Sequence, residues 1–314
     1  MNESQAGFGN RANMDGICKD RVVVVTGAGR GLGRSYALAF ALEGAKVVVN
    51  DLGTDLGGHG RDTVTAQRVV DEICASGGVA VANGDDVSEW DSSGGIIKTA
   101  LDTFGALDVV VNNAGFVRDR MFVSGTLEEW DAVVKVHLRG HFCVSRHAVD
   151  HWRSRAKQGL PVDARIINTS SGAGLNGSVG QSAYSAAKGA IASLTLVQAT
   201  ELRRYGITAN ALAPAARTRM TEQVFAERMK KPSSGFDVED PDNIAPTVVW
   251  LGSLESRDVT GCVFDLEGGR ISIAEGWNDG PAIDKGARWE PSEIGPAVTR
   301  LLAERRRPKP VHGT

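Results

Sequence analysis

The chain has only four cysteines, Cys18, Cys74, Cys143 and Cys262, and no two of them stand in C-x-x-C spacing. Neither a thiolate metal site nor a disulfide framework is expected, and the histidines add no ligand set. Long apolar runs are absent as well. Stretches such as Val22 to Val25 are only a handful of residues long, far short of the ~20 that a bilayer span needs. The first twenty residues carry Asn, Glu, Gln, Arg and Asp rather than an apolar signal core, and the chain ends Val-His-Gly-Thr, which is no peroxisomal address. The expected location is cytoplasmic, with no membrane partner. Charge of one sign is lacking too: Lys+Arg 35 against Asp+Glu 38 gives a net charge of −3, so no nucleic-acid partner is expected. Gly-X-Y periodicity and solenoid repeats are also missing.

What remains is an ordinary globular balance, 42% apolar and 23% charged, with one excess: 38 glycines in 314 residues. Short β-branched runs alternate with longer helical stretches. Strands are predicted at Val22–Val25, Lys46–Asn50, Val79–Ala82, Asp108–Val111, Arg165–Asn168, Ile207–Leu212 and Cys262–Leu266. Helices are predicted over Arg34–Leu42, Val64–Ala75, Ile96–Phe104, Leu127–Trp152, Ala183–Tyr205 and Ile244–Leu254. This alternation predicts an α/β, Rossmann-type doubly wound fold: a seven-stranded, mostly parallel sheet with helices on both faces. Residues 1–16 are expected to be a mobile segment and 17–302 a single domain. Within it, a lid lies near 216–238 and a C-terminal extension starts at 270. Trp277 and Trp289 predict that this extension is ordered against the body or a partner subunit. Residues 303–314 read as a flexible basic tail.

The segment Thr26-Gly-Ala-Gly-Arg-Gly-Leu-Gly33 lies between the first strand and the first helix. Glycine permits positive φ and close approach of a ligand, and a helix N-terminus offers free N–H groups to a pyrophosphate. Gly27, Gly31 and Gly33 suit that role, with Arg30 and Leu32 between them. Asp51 ends the second strand, ~20 residues past the glycines, where a carboxylate binds the ribose hydroxyls of NAD and repels the 2′-phosphate of NADP. Arg30 could pair with that phosphate, and Asp51 could instead be a turn residue before Gly53. NAD is the expected cofactor.

Tyr184 and Lys188 stand four apart on one predicted helix, hence on one face. A lysine cation beside a phenol lowers its pKa and suits it to proton transfer at an alcohol or carbonyl oxygen. Ser171 ends a strand on the edge where α/β sheets bind ligands, and so does the Asn112-Asn-Ala-Gly115 turn.

The loop from Thr26 to Gly33, the Asn-Asn-Ala-Gly turn, and Ser171 with Tyr184 thirteen residues on and Lys188 four further resemble the short-chain dehydrogenase/reductase family over roughly Lys19 to Gly269. The resemblance implies hydride transfer between a nicotinamide and a secondary alcohol or ketone. It makes Tyr184 the general acid/base, Lys188 the holder of the nicotinamide ribose, and Ser171 the partner of the substrate oxygen. It places Leu52, Asp86 and Val87, the turn residues Asn113, Ala114 and Gly115, and Pro214 and Thr218 around the cofactor, and gives Asn112 a sheet-stabilising role. The family usually has an Asn where this chain has His137, so a substituted proton relay is expected there; packing alone is the alternative.

Several stretches are more particular: Val48-Val-Asn-Asp-Leu-Gly53, Arg118-Asp-Arg120, Val136-His-Leu-Arg-Gly140 and Ala213-Pro-Ala-Ala-Arg-Thr-Arg-Met220. They resemble the (3R)-hydroxyacyl-CoA dehydrogenase unit of multifunctional β-oxidation enzymes and its free-standing bacterial relatives, and imply the dehydrogenase step alone. The apolar Met220, Val224, Phe225 and Met229 beside Arg228, Lys230 and Lys231 suit a lid over an acyl-CoA substrate, or an ordinary amphipathic helix. A steroid substrate (a 17β-hydroxysteroid dehydrogenase), an NADPH-dependent 3-oxoacyl reductase and a silent dinucleotide-binding protein are the rival readings. Family members assemble as homodimers or homotetramers.

Overall fold

The computed structural model describes residues 16–55, 57–218, 221, 227, 229–307 and 309–313. The valine-rich runs form the parallel strands β1 (Val22–Thr26), β2 (Lys46–Asn50), β3 (Val79–Asn83), β4 (Val109–Asn112), β5 (Ala164–Thr169), β6 (Ile207–Ala215) and β7 (Val263–Glu267). An eighth, β8 (Arg270–Ala274), pairs antiparallel to β7. The order is β3-β2-β1-β4-β5-β6-β7-β8. Chain direction across the sheet reverses between β1 and β4, which opens a crevice at the carboxyl ends of those two strands.

Successive side chains of a strand face opposite layers, and two cores result. Val23, Val25, Val47, Val49, Val109 and Val111 meet Tyr36 and Phe40 of α1 (Gly31–Leu42), Val69 and Ile73 of α2 (Val64–Ala75), and Val248 of α8 (Ala245–Gly252). Val22, Val24, Val48, Val110 and Ile166 meet Ile96 and Ala100 of α3 (Trp90–Phe104), Val144 and Trp152 of α5 (Gly140–Lys157), and Ala199 of α7 (Ser182–Leu202). Each fully buried valine contributes about 1.5–3 kcal/mol, enough to hold strands of only four to nine residues.

The structure amends three expectations. The sheet has eight strands rather than seven, because Gly268-Gly269 makes a tight turn, with Gly268 at φ +53°, and sends the chain back along β7. The predicted helix Leu127–Trp152 is broken into α4 (Leu127–Val134), a π turn (Lys135–Arg139) and α5. Thr126 opens α4 with a reciprocal capping box to Glu129. A short α6 (Gly172–Asn176) precedes α7.

Within the single chain the C-terminal extension packs only in part: Trp289 is half-buried, with the Lys285 ammonium over its ring. Trp277 is fully exposed, so it does not pack on the body, and α9 (Pro291–Glu304) has no buried residue. The final residues do make contact. His312 pairs with the segment after α6: its amide donates to the Gly177 carbonyl at 3.1 Å, and its carbonyl accepts from the Val179 amide at 2.9 Å. Among the described residues no helix is long and apolar enough to cross a membrane.

Trp152 fills the α5 side of the core, and its indole N–H donates to the Leu107 carbonyl at 2.7 Å. Trp152→Ala is expected to lower the unfolding free energy by about 3–5 kcal/mol in urea titrations. Trp152→Phe should cost less, the loss of one buried hydrogen bond plus a small void.

Candidate active site

The crevice is built where backbone meets backbone. Gly27 turns with φ +62°, and a Cβ there would lie 2.7 Å from the Ala114 Cα. A Cβ on Gly33 would stand 2.1 Å from the Gly27 carbonyl oxygen. Thr26 ties the loop to the turn after β4: its hydroxyl accepts from the Asn113 amide at 2.9 Å and the Ala114 amide at 3.2 Å, and donates to the Val111 carbonyl at 3.3 Å. The Asn113 side-chain amide donates back to the Thr26 and Gly27 carbonyls at 3.0 and 3.2 Å. Gly31 opens α1, whose first amides face the crevice. The Thr218 side chain comes within 3.6 Å of where its Cβ would be, so the loop after β6, which begins beyond Pro214, meets the glycine loop. Leu32 packs into the core behind.

Asp51 sits against this loop. Its carboxylate accepts the Gly29 amide at 2.8 Å on one oxygen and the Gly53 amide at 2.7 Å on the other. Arg30 is exposed and turned aside, donating to the Thr65 hydroxyl at 3.1 Å. Leu52 is half-buried, and its carbonyl accepts from the Asp62 amide. Asp86 is half-buried, with one carboxylate oxygen taken by the Ser88 amide and hydroxyl. Val87 is buried, with its side chain against Gly140.

The structure brings Ser171, Tyr184 and Lys188 together. Ser171 is the N-cap of α6, accepting from the Ala173 amide at 3.2 Å, and its hydroxyl lies near enough to the Tyr184 phenol to favour the phenolate. Lys188 is buried one turn beyond Tyr184. Its Nζ lies 5.6 Å from the Tyr184 ring centroid and donates to the Thr169 carbonyl at 2.6 Å. Burial lowers its pKa to about 7. Burial, opposed by the Ser171 hydrogen bond, raises the Tyr184 pKa above the ordinary phenol value. The expected lowering of that phenol by Lys188 is therefore not seen in the protein alone; the ammonium is drawn to a main-chain carbonyl instead.

His137, on the π turn, meets Tyr184 edge-on with ring centroids 5.2 Å apart. Its Nε2 lies 2.7 Å from the Phe116 carbonyl oxygen and 3.1 Å from the Phe116 amide, while its Nδ1 has no partner among the described residues. Its ring lies so close that a Cβ on Gly115 would stand 2.1 Å from it. Burial first, and the charge of Lys188 second, depress its pKa to about 3. The imidazole is neutral at physiological pH and holds the Gly115–Phe116 turn.

Sequence reasoning missed the Thr169 carbonyl that receives Lys188, and Phe116 as the partner of His137. It gave Asn112 a sheet-stabilising role but not the partners of the buried polar chain that fixes β4 to β5. The Asn112 side chain donates to Ser145 at 2.8 Å and to the Asn168 side chain at 2.9 Å, which in turn donates to Thr195 and Gln198. One signal was available: three Asn residues stand at or beside the carboxyl ends of two strands, where apolar residues would pack better. Of the expected lid, residues 219, 220, 222–226 and 228, including Met220, Val224, Phe225 and Arg228, lie outside the described residues. Met229 is buried, Lys230 is exposed and paired with Glu227, and Lys231 is exposed.

A family model described as short chain dehydrogenase matches residues 21–229. The chain belongs to the short-chain dehydrogenase family. It is 41% identical over 296 residues to hydroxyacyl-CoA dehydrogenase ChsB1 of Mycobacterium tuberculosis, covering 91% of this chain and 89% of that protein. It is 48% identical over 251 residues to peroxisomal multifunctional enzyme type 2 of Mus musculus, covering 80% of this chain but only 32% of the mouse protein. A crystal structure of a short chain dehydrogenase from Mycobacterium avium superposes with TM-score 0.85 at 57% identity, covering 95% of this chain and 100% of that one.

The short-chain dehydrogenase is thus an oxidoreductase acting on CH–OH groups with a nicotinamide dinucleotide. The crevice fits such a group. Gly27 and Gly33 keep the glycine loop free of side chains, the first turn of α1 presents its amides, and the Asp51 carboxylate stands beside them.

Burial also shapes acid stability. A histidine whose folded pKa lies below its unfolded value stabilises fully above the unfolded pKa and loses that contribution as pH falls toward the folded one. For His137 the window runs from 6.5 down to about 3. The unfolding free energy is expected to fall through this window by up to about 1.4 kcal/mol per pH unit for each such histidine. His137→Asn should flatten the slope by about one histidine's share in denaturant titrations between pH 4 and 7.

Proposed function

We propose that this enzyme oxidises the 3-hydroxyl of a (3R)-3-hydroxyacyl-CoA, from a fatty-acid or sterol side chain, to the 3-oxo thioester with NAD. The carrying observation is the meeting of Ser171, Tyr184 and Lys188 beside the glycine loop, in a chain 41% identical, over nine-tenths of its length, to a protein named hydroxyacyl-CoA dehydrogenase. Ser171 holds the substrate oxygen, and Tyr184 takes the hydroxyl proton as its phenolate. When bound, the dinucleotide supplies the hydride acceptor and the positive nicotinamide. Lys188 would then hold the nicotinamide ribose and, as a cation beside the phenol, would favour phenolate. His137 acts by holding the Gly115–Phe116 turn that lines the crevice, a packing role rather than a relay. Asp86, Val87, Asn113 and Ala114 line the adenosine side, and Pro214 and Thr218 the nicotinamide side. Exposed Phe142 and Trp90, close enough to interact, support assembly as a homodimer or homotetramer.

Purified enzyme should reduce NAD rapidly with the (3R) thioester, and not with its (3S) epimer or a 17β-hydroxysteroid, in an absorbance assay of the reduced nicotinamide. Turnover of the steroid alone would overturn the substrate class. Tyr184→Phe should lower kcat by about 10²–10⁴-fold while NAD binding holds. Asp51→Ala should cost at least about tenfold in kcat/KM for NAD and narrow the gap to NADP, about 1.4 kcal/mol of discrimination; an unchanged ratio would remove the basis for NAD.

A further inference from the structure

His141 is a second buried histidine, placed one turn after His137 and used by no step above. The two stand four apart on the π turn and α5, so their rings leave the same face and enter the sheet edge between β4 and β5. The His141 Nε2 lies 3.3 Å from the Thr169 amide nitrogen, which donates to it. The main-chain carbonyls of His137 and Asn112 lie within hydrogen-bonding reach of the ring. Thr169 ends β5, and its carbonyl accepts the Lys188 ammonium at 2.6 Å. The next residue ties the same lysine from the other side, with the Ser170 hydroxyl donating to the Lys188 carbonyl at 2.8 Å. One peptide unit further on is Ser171.

We propose that His141 is a positioning residue for Lys188: its imidazole holds the Thr169 amide, so that the Thr169 carbonyl presents a fixed seat to the lysine ammonium. This deepens the reading of Ser171, Tyr184 and Lys188 as the reacting group and rests on it. A neutral imidazole has one bare nitrogen and one N–H. Because the Thr169 amide donates to Nε2, Nε2 is the bare nitrogen and Nδ1 carries the proton. Burial, with the charge of Lys188 next, keeps the ring neutral by pushing its pKa well below the ordinary value. A hydrocarbon at position 141 fills the space but leaves the Thr169 amide without this acceptor, and the seat loosens. The titratable groups facing His141 are Lys188 from α7 and His137 from the π turn. Those facing Tyr184 are His137, Lys188 and Asp119, the last in the loop after β4.

The test compares His141→Leu with His141→Gln, whose side-chain carbonyl can reach the Nε2 position. Calorimetric titration with NAD, without substrate, should show about tenfold weaker binding for the leucine variant and binding within about threefold of wild type for glutamine. With the alcohol that the wild type oxidises, the acid limb of kcat/KM against pH should move up by about one unit in His141→Leu, because Tyr184 loses a fixed cation, and return in His141→Gln. In wild-type protein, nitrogen-15 NMR of the histidine side chains should find His141 neutral from pH 5.5 to 8 with the proton on Nδ1. A folded leucine variant with wild-type NAD affinity and pH profile overturns the proposal. So does a proton on Nε2 in the wild type, which needs no variant to fold. Failure of every alcohol would instead defeat the proposed function, leaving NAD affinity and the tautomer to decide on His141.

Discussion

The crevice exists because backbone touches backbone without side chains between. Gly27 against Ala114 and Gly33 against the Gly27 carbonyl are two approaches that a single methyl group would break, and Gly115 likewise leaves room for the His137 ring. The first joins β1 to β4 at the point where strand order reverses, the second seats α1 on the glycine loop, and the Thr26 hydroxyl, bonded to Val111, Asn113 and Ala114, closes the β1–β4 joint. A ligand lying across the carboxyl ends of these strands therefore meets main-chain N–H groups and one carboxylate. The sheet behind it is rigid because both of its faces are covered by helices and its valines are fully buried.

The second constraint is electrostatic. Lys188, His137 and His141 lie close together under buried backbone; the lysine would be a cation in water, and each histidine becomes one below about pH 6.5. Such a group of charges cannot be desolvated together. Burial resolves the conflict by depressing all three, His137 to about 3 and Lys188 only to about 7. The two histidines are thereby neutral hydrogen-bonding parts of the scaffold. Lys188 alone titrates near neutrality, beside the phenol that a hydride-transfer reaction would ask to change its proton. The π turn is what allows this. Widening the helix by one residue per turn brings His137 onto Phe116 and His141 onto Thr169 without breaking the long α4–α5 path.

The parallel sheet was legible because each strand is a short β-branched run between helical stretches, and the Thr26–Gly33 loop because its glycines follow such a run. Tyr184 and Lys188 could be paired from spacing alone, since four residues make one helical turn. What stayed hidden depends on contacts that no local pattern carries. β8 has alternating Arg270-Ile-Ser-Ile-Ala274 and a Gly-Gly turn before it, yet its pairing with β7 decides that it is a strand rather than the start of a tail. The π turn leaves no mark in composition. His137 looked like a relay because histidine usually titrates near neutrality; complete burial against Gly115 and Phe116 removes that property. The tail from residue 303 is polar and basic, and only its pairing with Gly177 and Val179 distinguishes it from a solvated end.

The proposed preference for NAD follows from how firmly Asp51 is held. A carboxylate on a free side chain can swing away from an incoming phosphate. This one cannot, because the Gly29 amide fixes one oxygen and the Gly53 amide the other. A 2′-phosphate at about 4 Å would then meet a repulsion of about 4 kcal/mol per unit charge in a site of effective dielectric near 20. Arg30, inside the glycine loop, is a base that could offset this, and its guanidinium is turned toward Thr65, in the field of Asp62. Recruiting it to a phosphate would cost the Thr65 bond and leave Asp51 where it is. Ribose hydroxyls need no such rearrangement, since each Asp51 oxygen retains a lone pair to accept them.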